Sequence, residues 1–169
     1  MANYKGHVTG GVAAGTVVVL SYYLIPGGGL PDSAILQNDW QLLIGIYVVS
    51  VLFALWPDVD TNSKAQDLFF GIAFLFNTIL IIGKYYAAAA ILGLLAMTPI
   101  VGKHRGWTHN KLAMILVPLP IVIVPYLSSK QVGETGLLIY GAAVAGYFSH
   151  LLLDGLIWKR IRVKGGWGG

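Results

Sequence analysis

Six long apolar segments, separated by short polar ones, are the feature that most constrains how this chain can fold. A helix needs about 20 mostly apolar residues to cross the hydrocarbon core of a bilayer, with about 17 as a lower limit. The charged fraction is only 11% and the mean hydropathy is +0.72. These features predict an all-α, polytopic membrane protein, a bundle of about six transmembrane helices. The predicted spans are residues 8–25, 41–56, 68–83, 85–101, 112–127 and 136–158.

The boundaries of these segments predict how they connect. The first ends without an A-x-A-like cleavage site, so we expect a retained span and not a signal peptide. The third and fourth meet at Lys84 and form a tight hairpin. The fifth contains three prolines, which predict a kinked or broken helix packed against protein. We therefore divide the chain into one transmembrane domain, 1–158, and a basic, glycine-rich tail, 159–169, that binds anionic headgroups or is disordered.

The basic residues predict the orientation. Under six-span alternation, one face of the membrane carries nine of the eleven lysines and arginines, and the other carries only Lys84 and Lys130. The cytoplasmic loops of membrane proteins are enriched in basic residues. We therefore expect a protein of the inner or plasma membrane with both termini in the cytoplasm. The pI of about 9.3 is therefore a signal of topology, and we expect membrane lipids and no nucleic acid as partners.

Small residues occur at helical spacing in two of the predicted spans. Gly11 and Gly15 are separated by one helical turn in the first, and Gly141 and Gly146 lie in the sixth. Such residues allow helix backbones to approach closely, but glycine is also common in membrane helices generally. Both interpretations remain open on the sequence alone.

Histidine and aspartate residues gather at the predicted cytoplasmic face. The positions that alternation places there are His7, Asp58, Asp60, His104, His109, His150 and Asp154. Loops attract such residues in any case because they prefer water to lipid. Asp60 could cap the third helix, Asp58 could be a turn residue after Pro57, and His104 and Arg105 could belong to an ordinary basic loop.

His150 and Asp154 are harder to explain without a function. Their four-residue spacing puts both on one face of the sixth helix, one turn apart. The residues between them are all leucine, so the pair is expected in apolar surroundings. Ionisable groups there are costly and normally face a site or a partner. We interpret them as two metal ligands, or as one ligand and the carboxylate that orients it.

The converging groups predict a metal site without thiols. The chain has no cysteine, and imidazoles with carboxylates suit zinc above all, with manganese or iron as alternatives. The candidate ligands are His7, Asp58, His109, His150 and Asp154. One or two ions are possible, and two at about 3.5–4 Å separation would suit phosphoester cleavage. Asp60 or His104 would act as bridging ligand or general base, and Arg105 would pair with a phosphate.

Four motifs resemble those of the YdjM-like family of inner-membrane proteins. They are Gly6-His7, Pro57-Asp58-Val59-Asp60, His104-Arg105-Gly106-Trp107-Thr108-His109 and Gly146-Tyr147-Phe148-Ser149-His150 followed by Asp154. The resemblance implies a multi-span membrane fold and a metal-dependent hydrolase. A remoter analogy links the His-x-x-x-Asp helix to zinc-dependent phospholipase C. The chain has Thr61 where the family often has a histidine, and Asn110 where a serine is common.

The leading hypothesis is a membrane-embedded, metal-dependent hydrolase that acts at the cytoplasmic face on a phosphoester, in a small molecule, a lipid or a lipid-linked substrate. The first alternative is a divalent-cation transporter or channel, which would need polar groups along a path to the other face. Few occur inside the spans apart from Asn77, Thr78 and Thr98. The second alternative is a non-catalytic membrane scaffold with a structural metal.

Overall fold

A computed structural model describes residues 3–24, 40–59, 64–101 and 107–157. Within these ranges the chain is helical, and no strand is formed. In chain order the elements are α1 (Tyr4–Leu24), α2 (Trp40–Leu55), a 3-10 turn (Trp56–Asp58), α3 (Lys64–Ile82), α4 (Tyr86–Val101), α5 (Lys111–Leu116), α6 (Pro120–Ser129) and α7 (Glu134–Leu153). The predicted all-α class is confirmed.

Among the residues that the structure describes, three helices are long and apolar enough to cross a membrane. They are α2 extended by its 3-10 turn, which gives Trp40–Asp58, then Lys64–Ile82, and Glu134–Leu153. Tyr86–Thr98 and Lys111–Leu127 are apolar but shorter. The prediction of apolar helices long enough to span a membrane is therefore confirmed for these three, whereas the count of six spans stays a prediction.

The fifth apolar segment is broken where its prolines predict a break. Helix α5 ends at Leu116, residues 117–119 form a turn, and α6 begins at Pro120. Proline suits the first position of a helix, where its missing N–H would have no partner anyway. Pro125 lies inside α6. The side chain of Asn110 caps the start of α5 by accepting a 3.1 Å hydrogen bond from the Leu112 N–H.

The closest helix packing joins α1, α2 and α7. The Ser50 hydroxyl of α2 donates a 2.8 Å hydrogen bond to the Gly11 carbonyl of α1. A Cβ atom added at Gly146 of α7 would lie 2.1 Å from the Ser50 carbonyl oxygen, and one at Gly11 would lie 2.8 Å from the Val51 Cα. Gly11 and Gly146 therefore permit backbone contact, while nothing lies within 4 Å of a Cβ at Gly141.

This contact sets the register of the two helices that carry most of the polar cluster. Ser50 lies one turn before Ala54 on α2, and Gly146 lies one turn before His150 on α7. Residues four apart share a helix face. The approach of Gly146 to Ser50 therefore also brings His150 against the backbone of Ala54.

Candidate metal centre

Five side chains from separate parts of the chain converge at one end of the helix bundle. They form two overlapping triads, His7 with His150 and Asp154, and Asp58 with His109 and His150. The possible ligand atoms within each triad all lie within 4.8 Å of one another. The five residues predicted as metal ligands are thus brought together, although their role as ligands stays a proposal.

Four of the five residues reach the cluster from the end of a helix or of the 3-10 turn. Asn3 caps α1 by accepting a 3.0 Å hydrogen bond from the Gly6 N–H, which places His7 in the first helical turns. Asp58 ends the 3-10 turn after Pro57. The indole N–H of Trp56 fixes that turn by donating a 3.0 Å hydrogen bond to the Leu95 carbonyl of α4. His150 and Asp154 lie at the carboxyl end of α7.

The ring of His150 is oriented by a backbone carbonyl. Its Nδ1–H donates a 2.8 Å hydrogen bond to the Ala54 oxygen. Because Nδ1 carries the proton in that bond, a neutral ring presents a lone pair at Nε2. That Nε2 atom is buried and makes no hydrogen bond within the described residues. Histidines that bind metals usually donate their other ring N–H to such an oxygen.

The distances between nitrogen and oxygen atoms in the cluster are close to those between two ligands of one metal ion. The His150 Nε2 lies 3.8 Å from the Asp58 Oδ1 and 3.6 Å from the Asp154 Oδ2. The His7 Nε2 lies 3.7 Å from the Asp58 Oδ2 and 3.6 Å from the Asp154 Oδ1. Hydrogen-bonded N–H···O pairs lie closer, at about 2.7–3.2 Å. Two ligands about 2.1 Å from one tetrahedral ion are about 3.4 Å apart.

His109 completes the cluster from the loop before α5. Its Nε2 lies 3.4 Å from the Asp58 Oδ1, and its Nδ1 lies 3.1 Å from the Thr108 hydroxyl. Thr108 is fully buried, and its carbonyl accepts a hydrogen bond from the Tyr147 hydroxyl. Tyr147 therefore ties this loop to α7 at the level of His150.

Tyr147 and Thr108 are positioning residues that the sequence analysis did not assign. A signal for Tyr147 exists, because it lies three residues before His150 and therefore on the same helix face. The contact of Thr108 with Tyr147 spans 39 positions of sequence and leaves no local pattern.

Among the described residues, the cluster is exposed on the side of Asp58 and His109. The side chains of His7, His150 and Asp154 are at most 2% exposed, whereas those of Asp58 and His109 are 26% and 21% exposed. The rings of His7 and His150 stack with centroids 4.0 Å apart and close the inner side. Water or a substrate would therefore approach past Asp58 and His109.

The donor set fits a divalent ion. Three imidazoles and two carboxylates offer nitrogen and oxygen donors of the kind that zinc, manganese and iron accept. Two buried nitrogens, the Nε2 atoms of His7 and His150, make no hydrogen bond within the described residues, and such orphaned atoms are costly without a ligand. The other predicted site residues, Asp60, His104 and Arg105, lie outside the described residues, so their roles stay predictions.

Comparison with known protein families gives one match. Residues 1–162 match the YdjM inner membrane protein family. No curated protein and no solved structure gives a significant match.

Proposed function

The chain belongs to the YdjM inner membrane protein family, and we propose that it is a metal-dependent hydrolase that cleaves a phosphoester at the cytoplasmic membrane face. The family and the three long apolar helices support localisation in the inner membrane. The observation that carries the catalytic part is the convergence of five nitrogen and oxygen donors at one end of the bundle. The position of the cluster at the cytoplasmic face and the hydrolysis of a phosphoester are both part of what we propose.

The ligands would be His7, Asp58, His109, His150 and Asp154. A bound divalent ion would act as a Lewis acid and lower the pKa of a water molecule toward neutrality. The protein's own contribution is orientation. Ala54 fixes the ring of His150, and Asp154 presents one oxygen to His150 and the other to His7.

The geometry favours one ion over two. The two triads share the Nε2 of His150, and a neutral imidazole has only one lone pair to give. A second ion would be left with Asp58 and His109 alone among the described residues. Zinc remains the favoured metal, with manganese and iron as alternatives.

Substrate binding and proton transfer would take place on the open side. Asp60 follows Asp58 by two positions in the sequence, and Arg105 precedes His109 by four. Asp60 or His104 would act as general base. Arg105 would hold the phosphate through paired hydrogen bonds.

A second feature supports a lipid or lipid-linked substrate. A groove of about 440 Å³ between α4 and α5 reaches the loop that carries His109. Leu94, Leu112 and Leu116 line it and are more than half exposed, so it opens sideways toward the acyl chains. The indole N–H of Trp107 in its wall makes no hydrogen bond within the described residues. That N–H would donate to an ester or phosphate oxygen.

The transporter alternative lacks support along the bundle. Outside the cluster, Ser50 and Thr108 are fully buried among the described residues and each makes a hydrogen bond. The side-chain oxygen of Asn77 is also buried and makes none within the described residues. Three such groups do not make up a line of ligands toward the opposite end.

The test compares Asp58→Asn with Asp67→Asn in detergent-purified protein. Asp67 is an exposed carboxylate in the first turn of α3 and serves as the matched control. Metal content is measured by mass spectrometry after supplying zinc, manganese and iron separately, and hydrolysis is measured with bis(p-nitrophenyl) phosphate. Wild type and Asp67→Asn should bind about one ion and hydrolyse the ester, and Asp58→Asn should lose about 10–100-fold in affinity or activity.

The outcomes separate the three candidate functions. Wild-type protein that binds none of the three metals would refute the proposal. Stoichiometric metal without hydrolysis of this ester or of a phospholipid would favour the scaffold. Metal-dependent uptake into vesicles without hydrolysis would favour the transporter.

A further inference from the structure

An apolar cavity runs between the helices from the end of the bundle opposite to the His/Asp cluster as far as Leu52 and Leu95, and none of the five cluster residues lines it. Its volume is about 670 Å³, within the range of about 300–1,000 Å³ that is usual for ligand pockets. Helices α2, α3, α4, α6 and α7 line it. Gly45 and Gly136 lie in its wall near the amino ends of α2 and α7, whereas Asp58 and His150 lie beyond or near their carboxyl ends. The cavity and the cluster are therefore separate sites.

The mouth of the cavity is polar and its interior is not. Lys84, Tyr85 and Tyr86 line it where α3 turns into α4, and all three are exposed. Deeper residues such as Leu52, Phe53 and Ile91 are apolar. Tyrosine is enriched where a membrane meets water. A single positive charge thus lies above a space suited to hydrocarbon.

Lys84 occupies a backbone position that normally takes glycine. Its φ is +62°, in the left-handed region. The Tyr85 N–H bonds the Leu80 carbonyl at 2.8 Å and the Lys84 N–H bonds the Ile81 carbonyl at 3.0 Å, which is the Schellman pattern at a helix end. A residue with a side chain is disfavoured in this conformation relative to glycine. Replacement of Lys84 by glycine should therefore relieve the backbone while removing the charge.

Lys130 provides a comparison for Lys84, because it has the same backbone conformation at a helix end. Lys130 ends α6 in the same conformation, with φ of +58°. Its ammonium group lies 6.0 Å from the centre of the Tyr126 ring, and Lys130 does not line the cavity. Among the described residues, two lysines thus have a positive φ at a helix end, and of these two Lys84 lines the apolar cavity.

We propose that this cavity binds one anionic phospholipid, with an acyl chain between the helices and the phosphate at Lys84. The charge of Lys84 selects an anionic headgroup, and the apolar walls accept the chain. A lysine near a membrane surface contributes about 1 kcal/mol toward an anionic lipid, which corresponds to about fivefold in affinity. This lipid site is independent of hydrolysis at the cluster.

The first arm of the test removes the charge without straining the backbone. Phosphatidylglycerol or phosphatidylcholine with identical acyl chains is added to detergent-purified wild type, Lys84→Gly, Lys84→Arg and Lys130→Gly, and thermal unfolding is followed. Glycine is favourable at both lysine positions, so both glycine variants should be at least as stable as wild type without lipid. Phosphatidylglycerol should stabilise wild type, Lys84→Arg and Lys130→Gly more than phosphatidylcholine does. Lys84→Gly should lose that difference, with about fivefold weaker binding of phosphatidylglycerol.

The second arm fills the cavity. Gly136 lines it, and a Cβ there meets nothing closer than 3.8 Å, so Gly136→Phe should fold and occupy part of the space. Gly141→Phe, on the same helix and with open space, is the control. Native mass spectrometry should show one retained phosphatidylglycerol in wild type and Gly141→Phe, and none in Gly136→Phe. Three results would each overturn the proposal. The first is an equal preference for phosphatidylglycerol in wild type and Lys84→Gly, and the second is an equal loss of that preference in Lys84→Gly and Lys130→Gly. The third is full retention of phosphatidylglycerol in Gly136→Phe.

Discussion

The imidazole of His150 donates a 2.8 Å hydrogen bond to the carbonyl oxygen of Ala54, on a different helix. Ala54 lies in the last turn of α2, where carbonyls lack partners within their own helix. This hydrogen bond therefore gives a partner to a carbonyl at the end of α2 and joins α2 to α7. It also fixes which ring nitrogen of His150 faces the cluster. The geometry of the candidate site is built into the packing of the helices that carry it.

The carboxyl end of α7 provides the first prediction. His150→Ala and Asp154→Ala should each lower metal affinity by about 10–100-fold, because each removes a ligand or the group that orients one. Ser149→Ala should leave the metal content unchanged, because the Ser149 hydroxyl donates to the Gly146 carbonyl of its own helix. Metal content is measured on folded, detergent-purified protein. Equal metal in all four proteins would exclude this helix from the site.

The contact of Gly146 with Ser50 provides the second prediction. Gly146→Ala places a Cβ 2.1 Å from a backbone oxygen that cannot rotate away, so α2 and α7 must separate. We expect a loss of about 1–3 kcal/mol or more in the free energy of unfolding, together with weaker metal binding. Gly141→Ala meets open space and should be neutral or slightly stabilising. Both are measured by denaturation in mixed micelles, and equal stability of the two variants would contradict the packing described.

The hydrogen bond of Tyr147 provides the third prediction. Tyr147→Phe removes the hydrogen bond to the Thr108 carbonyl and leaves that buried oxygen without its partner, at a cost of about 1–3 kcal/mol. Because Thr108 adjoins His109, metal affinity should fall as well. Tyr140→Phe is the control, since its hydroxyl donates to the Ile115 carbonyl on the exposed side of the same helix. Calorimetric zinc titration distinguishes the two, and unchanged affinity in Tyr147→Phe would show that the loop is held by other contacts.

The membrane topology provides the fourth. Reporter fusions at Lys84 and Lys130 should be on the non-cytoplasmic side, and fusions near His7 and Asp154 on the cytoplasmic side, because nine of eleven basic residues fall there under six-span alternation. A cytoplasmic signal at Lys84 or Lys130 would remove the predicted orientation and the span count together.

The sequence predicts those features that depend on local chemistry or simple alternation. The helix break at Pro118 is predicted because proline has no backbone N–H to donate. The position of His7, Asp58 and His150 at one face is predicted from the alternation of successive spans across the membrane. Spacing alone also places His150 and Asp154 on one face.

Features that depend on contact between distant segments leave no such trace. The hydrogen bond of His150 to Ala54 spans 96 positions, and whether Gly11, Gly146 or Gly141 makes a close contact depends on helix rotation. The cavity beneath Lys84 arises where five helices fail to fill the space between them. Hydropathy records how apolar a helix is, and it says nothing of how well its neighbours fit.

The junction of α1, α2 and α7 has a consequence for biosynthesis. His7 and Asp58 leave the ribosome long before His150 and Asp154, and the last of the described helices supplies the glycine against which Ser50 packs. The five donors can therefore come together only after α7 has been synthesised. A chain released before that point lacks two of the five proposed ligands, His150 and Asp154.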